Sequence, residues 1–151
     1  MSYHTWTSYG YGICIDDIEG VSMKSLLELV HQAPEFEKDF LEWLAESYEE
    51  PIDELKIDYV LENLEDDWCY KGIGPILQDV INEAEDLSLY IADDFDGVQY
   101  LMLSPRYPWN EITAKERELT REAMDKIFHK YLRLLTDKII DIDYQSVENG
   151  G

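Results

Sequence analysis

The spacing of apolar residues changes several times along the chain, and each change marks an element. Residues 5–15, Thr-Trp-Thr-Ser-Tyr-Gly-Tyr-Gly-Ile-Cys-Ile, are rich in β-branched and aromatic types and predict a strand. Gly10 and Gly12 fall on one face of it, which predicts a bulge or a close approach of another backbone. Residues 16–20 turn the chain. Ser22 is placed to cap a short helix over 22–32. Beyond Pro34, residues Phe36, Phe40, Trp43, Leu44 and Tyr48 recur at spacings of three and four, predicting an amphipathic helix over 34–49. Pro51 suits the first turn of a third helix over 51–65, with Ile52, Leu55 and Tyr59 on its apolar side. Gly74-Pro75 opens a fourth over 75–85, with Ile76, Leu77, Val80, Ile81 and Ala84 inward.

The period then shortens to two. Residues 87–92, Leu-Ser-Leu-Tyr-Ile-Ala, and 98–103, Val-Gln-Tyr-Leu-Met-Leu, flank Asp93-Asp94-Phe95-Asp96-Gly97 and predict a β-hairpin, with Asp-Gly supplying the positive φ of the turn. Thr113 and Glu116 form a capping box ahead of a long helix over 114–137, whose inward row is Leu119, Ala123, Ile127, Tyr131 and Leu134 or Leu135. Residues 139–144 alternate from Ile140 and predict a last strand. The order is β, four helices, ββ, α, β. Strands and helices that do not strictly alternate predict an α+β fold. The expectation is a mainly antiparallel sheet of about four strands, with helices packed on one face. Residues 1–145 read as a single domain and 146–151 as a flexible tail.

Charge changes the picture more than composition does. The chain has 34 acidic and 12 basic residues among 151. That balance argues against direct binding of DNA or RNA, which needs a basic footprint on the phosphates. It also opposes an anionic membrane surface, and no run of about 18 apolar residues is present to span a bilayer. The first residues lack a basic stretch followed by an apolar one, and Cys14 and Cys69 make no disulfide framework, so a cytoplasmic location is expected.

The acid is also segregated. Residues 28–96 hold 22 acidic and 3 basic residues, whereas 104–138 hold 6 and 8. At about 100° per residue, Glu35, Asp39, Glu42, Glu46, Glu49 and Glu50 form one stripe on the second helix, away from Phe36, Phe40 and Leu44. The third helix repeats this with Glu54, Asp58, Glu62 and Glu65, and the fourth with Asp79, Glu83 and Asp86. Only Lys38, Lys56 and Lys71 interrupt. Like charges four apart cost a helix a few tenths of a kcal/mol per pair, which interspersed lysines would relieve. An acidic surface serves solubility or a salty cytosol as well, but such a surface would be acidic all round. Three- and four-residue spacing sets carboxylates about 4.5–6 Å apart along the axis. A groove lined with Lys and Arg meets such a row much as it meets phosphates. The partner-binding candidates are therefore Glu35, Asp39, Glu42, Glu46, Glu54, Asp58 and Glu62, and the expected partner is a basic nucleic-acid-binding protein. Trp6, Tyr9, Tyr11, Trp68, Tyr70, Tyr107 and Trp109 are candidate aromatic anchors.

Motifs for catalysis are not apparent. His4, His31 and His129 are scattered, the cysteines lack zinc-ligand spacing, and no phosphate loop is present. No cofactor is implied. Asp93, Asp94 and Asp96 are the candidate cation ligands of an alternative reading, a cation-dependent enzyme or metal-binding domain, but an EF-hand register would put Ala92 first and Leu103 twelfth. A second alternative is a structural or assembly protein whose acid is a solubilising surface. Asp16, Asp17 and Glu19 are a similar turn. In small size, acidity, want of an enzyme motif and compact α+β pattern, the chain resembles phage-encoded anti-defence proteins, namely anti-CRISPR and other DNA-mimic inhibitors. It is also similar in character to acidic immunity proteins that block a toxic nuclease. The resemblance implies an inhibitor that acts in the host cytoplasm and is not an enzyme. It lies in general character, so no family residue carries over.

Overall fold

In a computed structural model, the described residues are 4–63, 72–103 and 114–150. They form an α+β fold in which helices cover one face of a four-stranded antiparallel sheet of order β2-β3-β1-β4. Strand β1 (Thr5–Cys14) is central. Most of its length pairs with β4 (Asp143–Gly150), from Thr5 opposite Gly150 to Gly12 opposite Asp143. Its C-terminal part pairs with β3 (Gln99–Leu103), which also pairs with β2 (Tyr90–Asp93). Alternation sends Tyr11 and Ile13 into the core and turns Gly10 and Gly12 to the opposite face. A Cβ at Gly12 would overlap the Leu101 carbonyl oxygen and crowd the Met102 Cα. The close approach expected of these glycines is therefore present at Gly12, and side chains from flanking strands fill the space. Ala92, Met102 and Val147 form a small cluster there, with Tyr90 and Tyr100 against it. At one end Asn149 donates to the Asp93 carbonyl (2.8 Å), drawing the two edge strands together.

On the core face lie α1 (Met23–Val30), α2 (Pro34–Ser47), α3 (Ile57–Glu62), α4 (Ile73–Glu85), α5 (Ala114–Arg117) and α6 (Arg121–Leu135). Their buried residues, among them Leu26, Phe40, Leu44, Val60, Leu77, Ile81 and Phe128, join Tyr11, Ile13 and Leu101 in one cluster. Ser22 caps α1 by accepting from the Ser25 N–H (3.1 Å), as its position predicts. No helix among the described residues is long and apolar enough to cross a membrane.

Several boundaries differ from the sequence expectation. The third helix is not continuous: a 3₁₀ turn (Ile52–Glu54) is followed by extended Leu55 and Lys56 before α3 begins. Leu55 and Val60 are both buried, and five residues apart they would point about 140° away from each other on one helix. Breaking the helix lets both reach the core and leaves Tyr59 exposed, against its expected inward place. On α4, Ala84 is exposed rather than inward. The long helix is also split. Thr120 accepts from the Ala123 N–H (3.1 Å) and starts α6 afresh. Its buried row is Met124, Phe128, Tyr131, Leu132 and Leu135, turned by about one residue from the expected row; Leu119, Ala123, Ile127 and Leu134 are half-buried beside it. The expected cap, Thr113, lies outside the described residues. The last strand starts later than expected. Ile140 plugs the core while Ile139 stays in solvent. Residues 146–150, expected as a flexible tail, are ladder residues of β4.

Candidate acidic binding surface

The seven candidate carboxylates all lie on the surface. Glu35, Asp39, Glu42 and Glu46 are exposed along α2, and Phe36, Phe40 and Leu44 are buried on its other side. This is the arrangement that positions i, i+4, i+7 and i+11 produce on one helix. The row ends there. Tyr48 leaves the helix in an extended conformation, so Glu49 and Glu50, though exposed, do not continue the stripe. Asp58 and Glu62 are exposed one turn apart on α3, and Glu54 is exposed on the preceding 3₁₀ turn rather than on the same helix. Glu65 lies outside the described residues.

Ion pairs show what the surface does with its few cations. Among the described residues, pairs join Arg121 to Asp143 (3.2 Å), His129 to Asp125 (3.2 Å), Lys130 to Glu85 (3.2 Å), Lys138 to Glu19 (2.8 Å) and His31 to Glu37 (2.8 Å). Four of the five involve α6 or the residues just after it. None engages any of the seven candidate carboxylates. The Lys138 ammonium holds the Glu19 carboxyl below its ordinary range.

The third expected row, on α4, has other work. Glu83 Oε1 accepts from the Phe36 N–H (3.0 Å), satisfying a donor in the first turn of α2 that has no partner within its own helix. Asp79 is half-buried, and desolvation pushes its carboxyl above the usual range. Asp86 closes the helix in a left-handed conformation at φ 53°.

An aromatic ladder underlies the acidic face. Phe36 stacks on Phe40 with centroids 6.0 Å apart, Phe40 lies 6.0 Å from Trp43, Trp43 5.8 Å from Tyr48, and Tyr48 5.5 Å from Tyr59. The ladder runs from the start of α2 to α3 and ends on a ring that is 56% exposed. The sequence pattern hides Tyr59 as a surface residue because a continuous third helix places it inward. Of the aromatic candidates, Trp6 and Tyr9 are exposed and Tyr11 is buried, donating its hydroxyl to Asp125 (2.9 Å). Trp68, Tyr70, Tyr107 and Trp109 lie outside the described residues.

The hairpin turn is held from within. Asp94 Oδ1 accepts from the N–H groups of Asp96 (2.8 Å) and Val98 (2.9 Å), and Gly97 takes φ 78°. That carboxylate is aimed at its own backbone, so Asp93, Asp94 and Asp96 are not brought together around a common point. Asp16 and Asp17 sit exposed on a 3₁₀ turn, with Glu19 engaged by Lys138. Among the described residues no group of three or more His, Cys, Asp or Glu side chains is arranged to hold a metal ion.

These features define an acidic α+β fold in which seven exposed carboxylates on α2, the following 3₁₀ turn and α3 form no ion pair among the described residues. Comparison with protein-family models, with curated proteins and with solved structures finds no match.

Proposed function

We propose that this chain is an acidic binding protein that inhibits a nucleic-acid-handling effector, a CRISPR nuclease or a similar enzyme, by presenting DNA-like negative charge to its basic cleft. One observation carries the reading. Seven exposed carboxylates lie on α2, the following 3₁₀ turn and α3, and none pairs with a cation among the described residues. The ion pairs that do form gather mainly around α6. A face of one sign attracts an oppositely charged cleft at long range and speeds encounter, an effect that salt weakens. Duplex DNA offers about one charge per 1.7 Å of axis. A helical row at about 4.5–6 Å is sparser, so the α2 and α3 rows contribute together.

The test is capture of partners from host lysate at low and high salt, using wild type and the triple variant Asp39→Lys, Glu42→Lys, Glu46→Lys. A nucleic-acid-handling protein held at low salt, displaced by DNA or RNA and lost by the triple variant is the expected result. Far-UV circular dichroism of the variant should match wild type, because all three positions are exposed. A partner indifferent to salt, to competitor and to the triple variant would overturn the reading and leave the acid as a solubilising surface.

A further inference from the structure

Among the described residues, two edge-to-face tyrosine pairs lie beside exposed carboxylates, and one of them carries a cation while the other does not. In the first, the Tyr11 and Tyr144 rings are 5.1 Å apart at 72°. The Arg121 guanidinium lies 5.7 Å from each ring centroid, and its Nη2 donates to Asp143 Oδ1 at 3.2 Å. Ring faces and a carboxylate together hold one arginine. In the second, the Tyr48 and Tyr59 rings are 5.5 Å apart at 65°. Asp58 precedes Tyr59 and Glu62 follows it by about one helical turn, and both are exposed. No described cation lies over Tyr48 or Tyr59 or pairs with Asp58 or Glu62.

Resting on the acidic-inhibitor reading, we infer that Tyr59, with Glu62 three residues on along the same side of α3 and Asp58 next to it in the chain, is the seat for an arginine side chain of the basic partner. The second tyrosine pair then receives from outside the group that the first receives from Arg121. Arginine fits better than lysine for three reasons: its guanidinium is planar, it stacks on aromatic faces, and it is more weakly hydrated than an ammonium. The ring is also preorganised. Tyr48 holds it edge-on, Trp43 holds Tyr48, and Val60 fixes α3 in the core. Part of the side-chain freedom that docking would otherwise cost is therefore already lost. An exposed aromatic flanked by charge is also the kind of group that dominates binding energy at interfaces.

The experiment uses two probes of equal charge, fluorescent deca-arginine and deca-lysine peptides, titrated at low salt into wild type, Tyr59→Leu, Tyr59→Phe and the triple lysine variant. Cation–π contacts at exposed sites correspond to about twofold to fivefold in affinity. Tyr59→Leu should weaken deca-arginine by that factor and leave deca-lysine unchanged, while Tyr59→Phe keeps the arginine affinity. Because Tyr59 is exposed, circular dichroism of both variants should match wild type. If Tyr59→Leu changes both peptides equally, or neither, the arginine seat is overturned. Should the triple variant still weaken both peptides in that case, the acidic face stands without the seat. If neither peptide binds wild type at low salt, both proposals fall.

Discussion

Three carboxylates on neighbouring helices show how far residue type underdetermines role. Glu42 stands in water on α2, Glu83 reaches from α4 to the Phe36 N–H, and Asp79 is half-buried on α4. Periodicity alone makes all three stripe residues. Glu42 alone makes no contact with another element: Glu83, though exposed, is taken up by the Phe36 N–H and Asp79 is half-buried, and helix packing is not written in the spacing of one helix. Asp79 carries a measurable consequence. Desolvation raises its carboxyl pKa in the folded state above the unfolded value. The native state therefore holds its proton to higher pH than the unfolded chain does, and stability falls as pH rises from the unfolded pKa through the folded one. Asp79→Asn removes the charge that burial penalises. Its melting temperature at pH 7 should exceed that of wild type by about 1–2 °C, which is roughly half a kcal/mol for a domain this size. The difference should close as pH approaches about 3, where the aspartate is largely protonated in both states. An asparagine variant less stable than wild type at pH 7 would mean that the carboxylate is favourably solvated or paired.

Element existence was readable wherever a long apolar period was present, and element ends were not. The α2 pattern contains both its buried row and its acidic row, because charge opposite an apolar stripe has only solvent to face. The hairpin was readable from Asp-Gly between two alternating runs. The third helix misleads because Ile52, Leu55 and Tyr59 satisfy a helical period, whereas the core demands Leu55 and Val60 together. The tail misleads for another reason. Residues 146–150 have little β-forming character, yet they run beside the first half of β1 and are held by the backbone ladder, with Val147 as their buried apolar contact. The break before α6 is present in the sequence as Thr120, three residues before Ala123, but the stronger Thr113-Glu116 signal obscures it. The structure makes that cap matter, because α6 supplies Phe128, Tyr131 and Leu135 to the core. Thr120→Ala should cost about 1 kcal/mol in urea unfolding, and Thr120→Ser should restore most of it. Equal stability of all three proteins would show that the cap contributes nothing to α6.

At the scale of the whole molecule, the charge proposed to meet a basic partner works against the fold that carries it. An excess of like charge destabilises a compact state by self-repulsion. The neighbours Glu35–Asp39, Asp39–Glu42, Glu42–Glu46 and Asp58–Glu62 each cost their helices a few tenths of a kcal/mol. Opposing this, among the described residues, are five ion pairs, three of which have at least one side chain more than half exposed and carry full charges on both partners. Exposed pairs contribute at most about 1 kcal/mol each and are themselves screened. With 34 acidic and 12 basic residues, repulsion outweighs attraction. Screening acts over about 30 Å at 0.01 M salt and about 8 Å at 0.15 M, so added salt removes more repulsion than attraction. Melting temperature should therefore rise between about 10 mM and about 300 mM sodium chloride. The variant Asp39→Lys, Glu42→Lys, Glu46→Lys should start higher at the low-salt end and rise less, because three charge reversals bring the net charge from −22 to −16, although of the α2 neighbours only Glu35 with position 39 becomes an attractive pair. Potassium glutamate in place of sodium chloride should give the same ordering, since the effect belongs to ionic strength and not to a bound ion. If wild type melts at the same temperature throughout, or the triple variant melts lower than wild type at low salt, then the acidic rows do not strain the fold.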